Sequence, residues 1–156
     1  MTHPVLWLTG NTGAGKTTLA EGMQEHFNER LAHEHPLFRR VIVLDGDEMR
    51  ATISTEETLT AEDRRRHNLR VARLAGLLQS QGFLVLVSVI APFASVREEI
   101  DAICAPHWVF VKRGNLDGAD RPYEPPTAPH MVVDNDVLDI DEARALLSRY
   151  IEQTFC

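Results

Sequence analysis

Five short apolar runs punctuate the chain: Val5–Thr9, Val41–Asp45, Leu84–Val89, Trp108–Lys112 and Met131–Asp134. Each is nearly continuous rather than alternating, and most are rich in Val, Ile or Leu. That is the pattern of strands covered on both faces. Between them lie stretches of helical character. Lys16–Leu31 follows a glycine-rich turn. Ala61–Gln81 has Thr60 as an N-cap, Asp63 three residues on, and Gly82 as its stop. Val96–Ile103 is a shorter candidate, and Asp141–Thr154 places Ala143, Leu146, Leu147, Tyr150 and Ile151 on one stripe. Strands alternating with helices predict an α/β fold, a five-stranded parallel sheet with helices on both faces. No repeat, linker or low-complexity tract divides residues 1–156, so one domain is expected. The segment from Arg113 to His130 is irregular and carries four prolines, the kind of long loop that usually serves function.

The first strand runs into Gly10-Asn11-Thr12-Gly13-Ala14-Gly15-Lys16-Thr17, which fits G-x-x-x-x-G-K-[ST] and opens a predicted helix. A P-loop NTPase fold follows. Glycines let the backbone wrap closely enough for successive N–H groups to face phosphate oxygens, and the helix N-terminus favours an anion. Lys16 is expected on the loop surface, bridging the β- and γ-phosphates. Thr17 would give its hydroxyl to Mg²⁺, and Thr18 extends the nucleotide-binding set. Only Lys16 and Lys112 among the 16 basic residues are lysines, which sets Lys16 apart. The motif implies NTP binding without saying where the phosphoryl group goes.

The second strand ends in Asp45-Gly46-Asp47, followed by Glu48-Met49-Arg50. Ligands of open parallel sheets bind at the carboxyl ends of strands. With this strand near the first, both aspartates sit beside the phosphate loop. Asp45 would hold water on Mg²⁺, and Asp47 would accept or orient the proton of an attacking hydroxyl. Arg50 would clamp a substrate anion. A turn with helix-capping aspartates is the competing reading. The helix Ala61–Gln81 carries Arg64, Arg65, Arg66, Arg70 and Arg73. Arg65 and Arg73 read as solvated, whereas Arg64 and Arg70 read as anion-binding.

The formal net charge is −7, which argues against nucleic acid as a partner. The longest apolar run, Phe83–Val87, is too short for a bilayer, and Met1-Thr-His-Pro4 lacks the features of a secretory signal. Cys104 and Cys156 have no metal-ligand spacing and read as reduced thiols of a cytoplasmic protein.

Taken together, these residues resemble the adenylylsulfate kinases, or APS kinases, over almost the whole chain. The landmarks are Gly10–Thr17, Leu44-Asp-Gly-Asp47 with Arg50, Glu62-Asp-Arg64, Gly82–Pro92, and Asp117-Gly-Ala-Asp-Arg-Pro-Tyr-Glu-Pro-Pro126. The resemblance implies transfer of the γ-phosphoryl group of ATP, with Mg²⁺, to the ribose 3′-hydroxyl of adenylyl sulfate. It implies that Lys16, Asp45 and Asp47 are catalytic, with Thr17 and Asp45 at the metal. It places Asp47, Arg50, Arg64, His67, Asn68 and Ile90 at the acceptor. The partner is then a small nucleotide substrate, with a homodimer one option for assembly.

Several departures accompany the likeness. The family's basic lid, Lys-Gly-Leu-Tyr-Lys-Lys-like, is largely absent, since Val111-Lys-Arg-Gly-Asn-Leu116 runs almost directly into Asp117. Lys112, Arg113 or Arg121 would supply the missing charge. Thr58-Leu59-Thr60 replaces a segment whose aromatic ring could stack on the substrate base. An asparagine of the family becomes His67, with Asn68 one position off, and an arginine becomes Ala94. Two other readings therefore stand beside APS phosphorylation. One is a kinase of another nucleotide-linked acceptor, such as a cytidine diphosphoramidate. The other is a nucleotide-binding module or slow NTPase without transfer activity.

Overall fold

In chain order the elements are β1 (Leu6–Thr9), α1 (Lys16–Leu31), β2 (Val41–Asp45), α2 (Gly46–Thr52), α3 (Ala61–Ser80), β3 (Leu84–Ser88), α4 (Ala94–Cys104), β4 (His107–Lys112), β5 (Met131–Asp134) and α5 (Ile140–Phe155). They come from a computed structural model that describes residues 5–31, 41–114 and 121–155. The Asp117–Asp120 part of the family-like segment and Cys156 lie outside the described residues. The strands form one parallel sheet in the order β2-β3-β1-β4-β5.

The continuous apolar strands serve two cores. Leu6, Leu8, Leu84, Leu86, Val109 and Val111 point to one face, where Leu19, Met23 and Phe27 of α1 meet Ala143, Leu147 and Ile151 of α5. Val5, Trp7, Val85, Val87 and Trp108 point to the other, under α3 and α4. Alternate side chains thus enter opposite cores, and in the central strands β1 and β3 every position is buried, while β2, β4 and β5 keep half-buried or exposed positions. Thr60 caps α3 as expected, its Oγ1 accepting the Asp63 N–H at 3.2 Å, and Gly82 leaves the helix region at φ 91°.

Several element ends shift by one residue, and two elements differ from expectation by more than that. Helix α4 extends over Ala94–Cys104, beyond the Val96–Ile103 stripe. Helix α2 is additional. Its seven residues are too few for a periodicity to show, and Asp45 caps it by accepting the Glu48 N–H at 3.3 Å. The capping and the functional readings of Asp45 are therefore compatible. No helix among the described residues is long and apolar enough to cross a membrane.

Strand β1 lies at the turning point of the topology, with β3 and β2 on one side and β4 and β5 on the other. The crevice above its carboxyl end is where such sheets bind ligands.

Candidate active site

The phosphate loop leaves β1 through Gly10, where any Cβ would collide with the Val111 carbonyl of β4. Glycine is required there by the close approach of two backbones. Gly15 adopts φ 101°, and a Cβ on it would sit 2.8 Å from Nδ2 of Asn135. That amide donates to the Ala14 carbonyl at 2.8 Å, and the Asn135 N–H donates to the Lys112 carbonyl at 2.8 Å. Asn135 therefore braces the loop from the turn after β5. No sequence signal marked it, because its role exists only once β4, β5 and the loop are adjacent.

Lys16 is 7% exposed, which corrects the expectation of a surface lysine. Its Nζ donates to the Asn11 carbonyl at 3.1 Å. Burial lowers its pKa to about 8, against the upward pull of Asp45 and Asp47. A bound polyphosphate favours the charged ammonium and raises this value again. Nucleotide binding should therefore take up a proton at about pH 9 and little at about pH 6.5. Calorimetry in buffers of different ionisation enthalpy reads this directly. Equal proton uptake at both pH values, or uptake retained in Lys16→Ala, would contradict it.

Strand β3 separates β1 from β2, yet the aspartate still reaches the loop. Asp45 pairs in register with Ser88 of β3. Over that small side chain, Thr17 Oγ1 donates to Asp45 Oδ1 at 2.7 Å and lies 3.2 Å from Ser88 Oγ. Three hard oxygen donors thus converge at the first turn of α1, a set suited to Mg²⁺ that keeps phosphate and water as its other ligands. Ser88 was not anticipated. Asp47 stands exposed on the first turn of α2, facing the same cleft.

The arginines of α2 and α3 divide sharply. Arg65 makes a two-point contact with Glu99, at 2.9 and 2.7 Å. Arg66 reaches Asp63 at 2.7 Å. Arg70 forms a two-point pair with Glu57, at 2.8 and 2.7 Å, and bonds Ser54. Arg70 is therefore neutralised structurally, which corrects its reading as an anion-binding residue. By contrast, Arg64 is 8% exposed and donates from Nε to the Leu59 carbonyl at 2.7 Å. Arg50 donates to the Thr58 carbonyl at 3.4 Å. Among the described residues neither has a carboxylate partner. Burial and the neighbouring Arg50 hold the Arg64 pKa below its usual value.

His67 and Asn68 follow Arg64 at helical spacing of three and four, on the same side of α3. Both ring nitrogens of His67 and the Asn68 amide nitrogen are buried without a hydrogen-bond partner among the described residues. Burial first, then Arg50, lowers the His67 pKa to about 4, so this side chain is neutral at pH 7. Unpartnered buried polar groups are costly and concentrate at functional sites.

One cleft of about 380 Å³ gathers these groups. Thr12, Gly13, Gly15, Lys16, Thr17 and Thr18 form its phosphate-loop side. Asp45, Asp47, Arg50, Arg64, His67 and Asn68 form the opposite side, and Ile90 lies in the wall after β3. Gly10, Asn11 and Ala14 are buried behind the loop. A second cleft of about 470 Å³ shares Gly15, Thr18 and Arg113 with the first and continues past Asn135 to Arg144. Arg113 stands at the seam, with Nη1 3.3 Å from the Gly13 carbonyl. Gly114 fixes its backbone there by donating to both Asp136 carboxylate oxygens at 2.8 Å. Arg121 lines neither cleft, and its carbonyl accepts the Asn11 amide at 3.1 Å. Cys104 is buried, and burial pushes its thiol pKa up to about 12, so it stays protonated at neutral pH.

Comparison with known proteins matches this arrangement. A profile of the family described as adenylylsulphate kinase fits residues 2–113. The adenylyl-sulfate kinase of Myxococcus xanthus is 34% identical, over 95% of this chain and 89% of its own length. A probable adenylyl-sulfate kinase of Bacillus subtilis is 30% identical, over 96% of this chain and 85% of its own length. The structure of a cysteine mutant of the Mycobacterium tuberculosis APS kinase CysC superposes with a TM-score of 0.78 at 26% identity, covering 97% of this chain and 98% of that one. The Myxococcus alignment runs over 175 positions, more than the 156 residues of this chain, so that relative carries residues without counterparts here.

Proposed function

The chain belongs to the adenylylsulphate kinase family, and from that premise we propose that it moves the γ-phosphoryl group of ATP to the 3′-hydroxyl of adenylyl sulfate. The observation that carries this reading is the division of the arginines. Arg65, Arg66 and Arg70 are spent on carboxylates, while Arg50 and Arg64 face the phosphate-loop cleft with no carboxylate partner among the described residues. A protein that only bound or hydrolysed a nucleotide would have no use for a second, unneutralised cationic site opposite its phosphate loop.

In this reading Lys16 and the loop N–H groups hold the β- and γ-phosphates. The second cleft takes the nucleoside end of ATP. Thr17 and Asp45 would hold Mg²⁺, which when bound neutralises phosphate charge. Arg50 and Arg64 grip the anionic group of the acceptor, and neutral His67 and Asn68 lie beside its sugar and base. The acceptor 3′-oxygen attacks the γ-phosphorus, the bond to the β–γ bridging oxygen breaks, ADP leaves, and Asp47 receives the hydroxyl proton. A single-domain protein acting in the cytoplasm on small nucleotides fits this chemistry.

The acceptor is tested by thermal shift with a panel of nucleotide-linked compounds, with and without ADP. A ligand that binds only the folded state raises Tm by mass action. Adenylyl sulfate is expected to give the largest shift. A cytidine diphosphoramidate is the rival in the panel, because Leu59 stands 64% exposed in the segment that lacks a stacking ring. A larger shift with that compound would overturn the choice of acceptor.

Arg113 supplies positive charge over the phosphates in place of a basic lid. With the family's basic lid segment largely missing from the sequence, water competes with the acceptor, and ATP hydrolysis without acceptor should be measurable. Arg113→Ala should lower acceptor phosphorylation by about ten- to a hundredfold, whereas Arg121→Ala should change it by less than about twofold. Transfer and hydrolysis are assayed separately in both variants. If neither changes either rate, charge over the phosphates comes from elsewhere.

A further inference from the structure

Four consecutive carbonyls in the loop after β3 are each held by a different donor. Trp7 Nε1 donates to the Val89 carbonyl at 3.0 Å, and Thr9 Oγ1 to that of Ile90 at 2.5 Å. Arg97 Nη1 donates to the Ala91 carbonyl at 2.7 Å, and the Glu124 N–H to that of Pro92 at 2.8 Å. The donors come from β1, from α4 and from the segment after residue 120. All four held residues line the 380 Å³ cleft on its acceptor side. Ala91 is fully buried at φ 49°, a left-handed conformation that a non-glycine residue keeps only where its surroundings over-determine it.

Arg97 is the hub of this clamp. It is 6% exposed, although it is a charged residue on a helix. Besides Ala91, it donates from Nη2 to the Glu124 carbonyl at 2.6 Å. Its guanidinium carbon lies 5.7 Å from the centre of the Tyr123 ring. That ring stacks on Phe110 of β4, and its hydroxyl is 2.8 Å from Thr9 Oγ1. The Glu124 carboxylate accepts the Ala94 N–H at the start of α4, at 3.1 Å. Residues 121–124 are thus tied to the phosphate loop through Asn11 and Thr9, and to the acceptor wall through Arg97 and Pro92.

We propose that Arg97 is a positioning residue for the acceptor, its two-pronged fork holding the Val89–Pro92 wall against residues 121–124 at the distance the acceptor needs. The proposal rests on the phosphoryl-transfer reading above. The planar fork matters more than the charge, because a lysine ammonium cannot hold two carbonyls on separate segments in one fixed geometry.

The test is Arg97→Lys, measured for KM of each substrate, for kcat, and by calorimetry for adenylyl sulfate binding in the presence of Mg·ADP. Acceptor KM and Kd should rise about tenfold or more and kcat should fall, while KM for ATP and acceptor-free hydrolysis stay within about twofold. Thr9→Val, nearly isosteric, removes the donor to Ile90. It should raise acceptor KM about threefold, and it keeps the question open to measurement where the lysine variant does not fold. Parallel losses for ATP and acceptor would mean a merely structural role and would overturn the proposal. So would unchanged acceptor binding in both variants while the unmutated protein binds adenylyl sulfate. An unmutated protein that binds no nucleotide-linked acceptor overturns the functional reading itself, and the proposal with it.

Discussion

Lys16→Ala should cut phosphoryl transfer by about a hundred- to a thousandfold while the fold persists. Lys16 is the point charge of the phosphate loop, placed at the first turn of α1 with Asp45 and Asp47 facing it across the cleft. Its loss removes a cation that acts where charge develops on the transferring group. The effect on stability has the opposite sign. Burial depresses the Lys16 pKa to about 8, so near pH 7 the folded protein carries an ammonium that burial disfavours. An unfolded chain holds that proton more tightly, and removing the group relieves a cost of folding rather than adding one. The melting temperature should therefore hold or rise. Turnover at saturating Mg·ATP and a thermal melt of the same preparation check both halves. Near-normal turnover would remove the phosphate loop from the mechanism.

The second large effect belongs to Asp47. Asp47→Asn keeps the size and the N-terminal helix position of the side chain but cannot accept a proton. The turnover number should fall by about a hundred- to ten-thousandfold, with ATP affinity within about twofold of the unmutated protein. Asp45→Asn should behave differently. Asp45 accepts from Thr17 and caps α2, so its loss should weaken Mg·ATP binding and lower the melting temperature. An Asp47 effect confined to ATP binding would exchange the two roles.

The sheet could be read from the chain because the central strands β1 and β3, buried on both faces, need unbroken apolar runs, and the edge strands β2 and β5 are apolar enough to share that form. Val41–Asp45 and Met131–Asp134 coincide with β2 and β5. Helix α3 was legible from Thr60, Asp63 and Gly82, since capping and stopping are local chemistry. Helix α2 escaped because seven residues show no stripe. At the site, the phosphate loop, Asp45, Asp47, Arg50 and Arg64 were legible from local spacing. Which arginines were free was not. Arg64 and Arg70 are arginines of the same helix, and only the fold brings Glu57 to Arg70. The same holds for Ser88, Asn135 and Arg97, each of which has a deciding partner far off in sequence: Thr17, Ala14 and Glu124. A loop lysine is ordinarily exposed, so the sequence alone points Lys16 to the surface, whereas in the fold its ammonium turns back onto the Asn11 carbonyl and is buried.

The most direct test of the central claim follows one phosphoryl group. The protein is incubated with Mg²⁺, ATP labelled at the γ-phosphoryl group, and adenylyl sulfate, and the labelled products are separated. The account predicts label in a nucleotide carrying a new 3′-phosphate, formed only when adenylyl sulfate is present. Label appearing solely as inorganic phosphate, with adenylyl sulfate recovered unchanged, would contradict it.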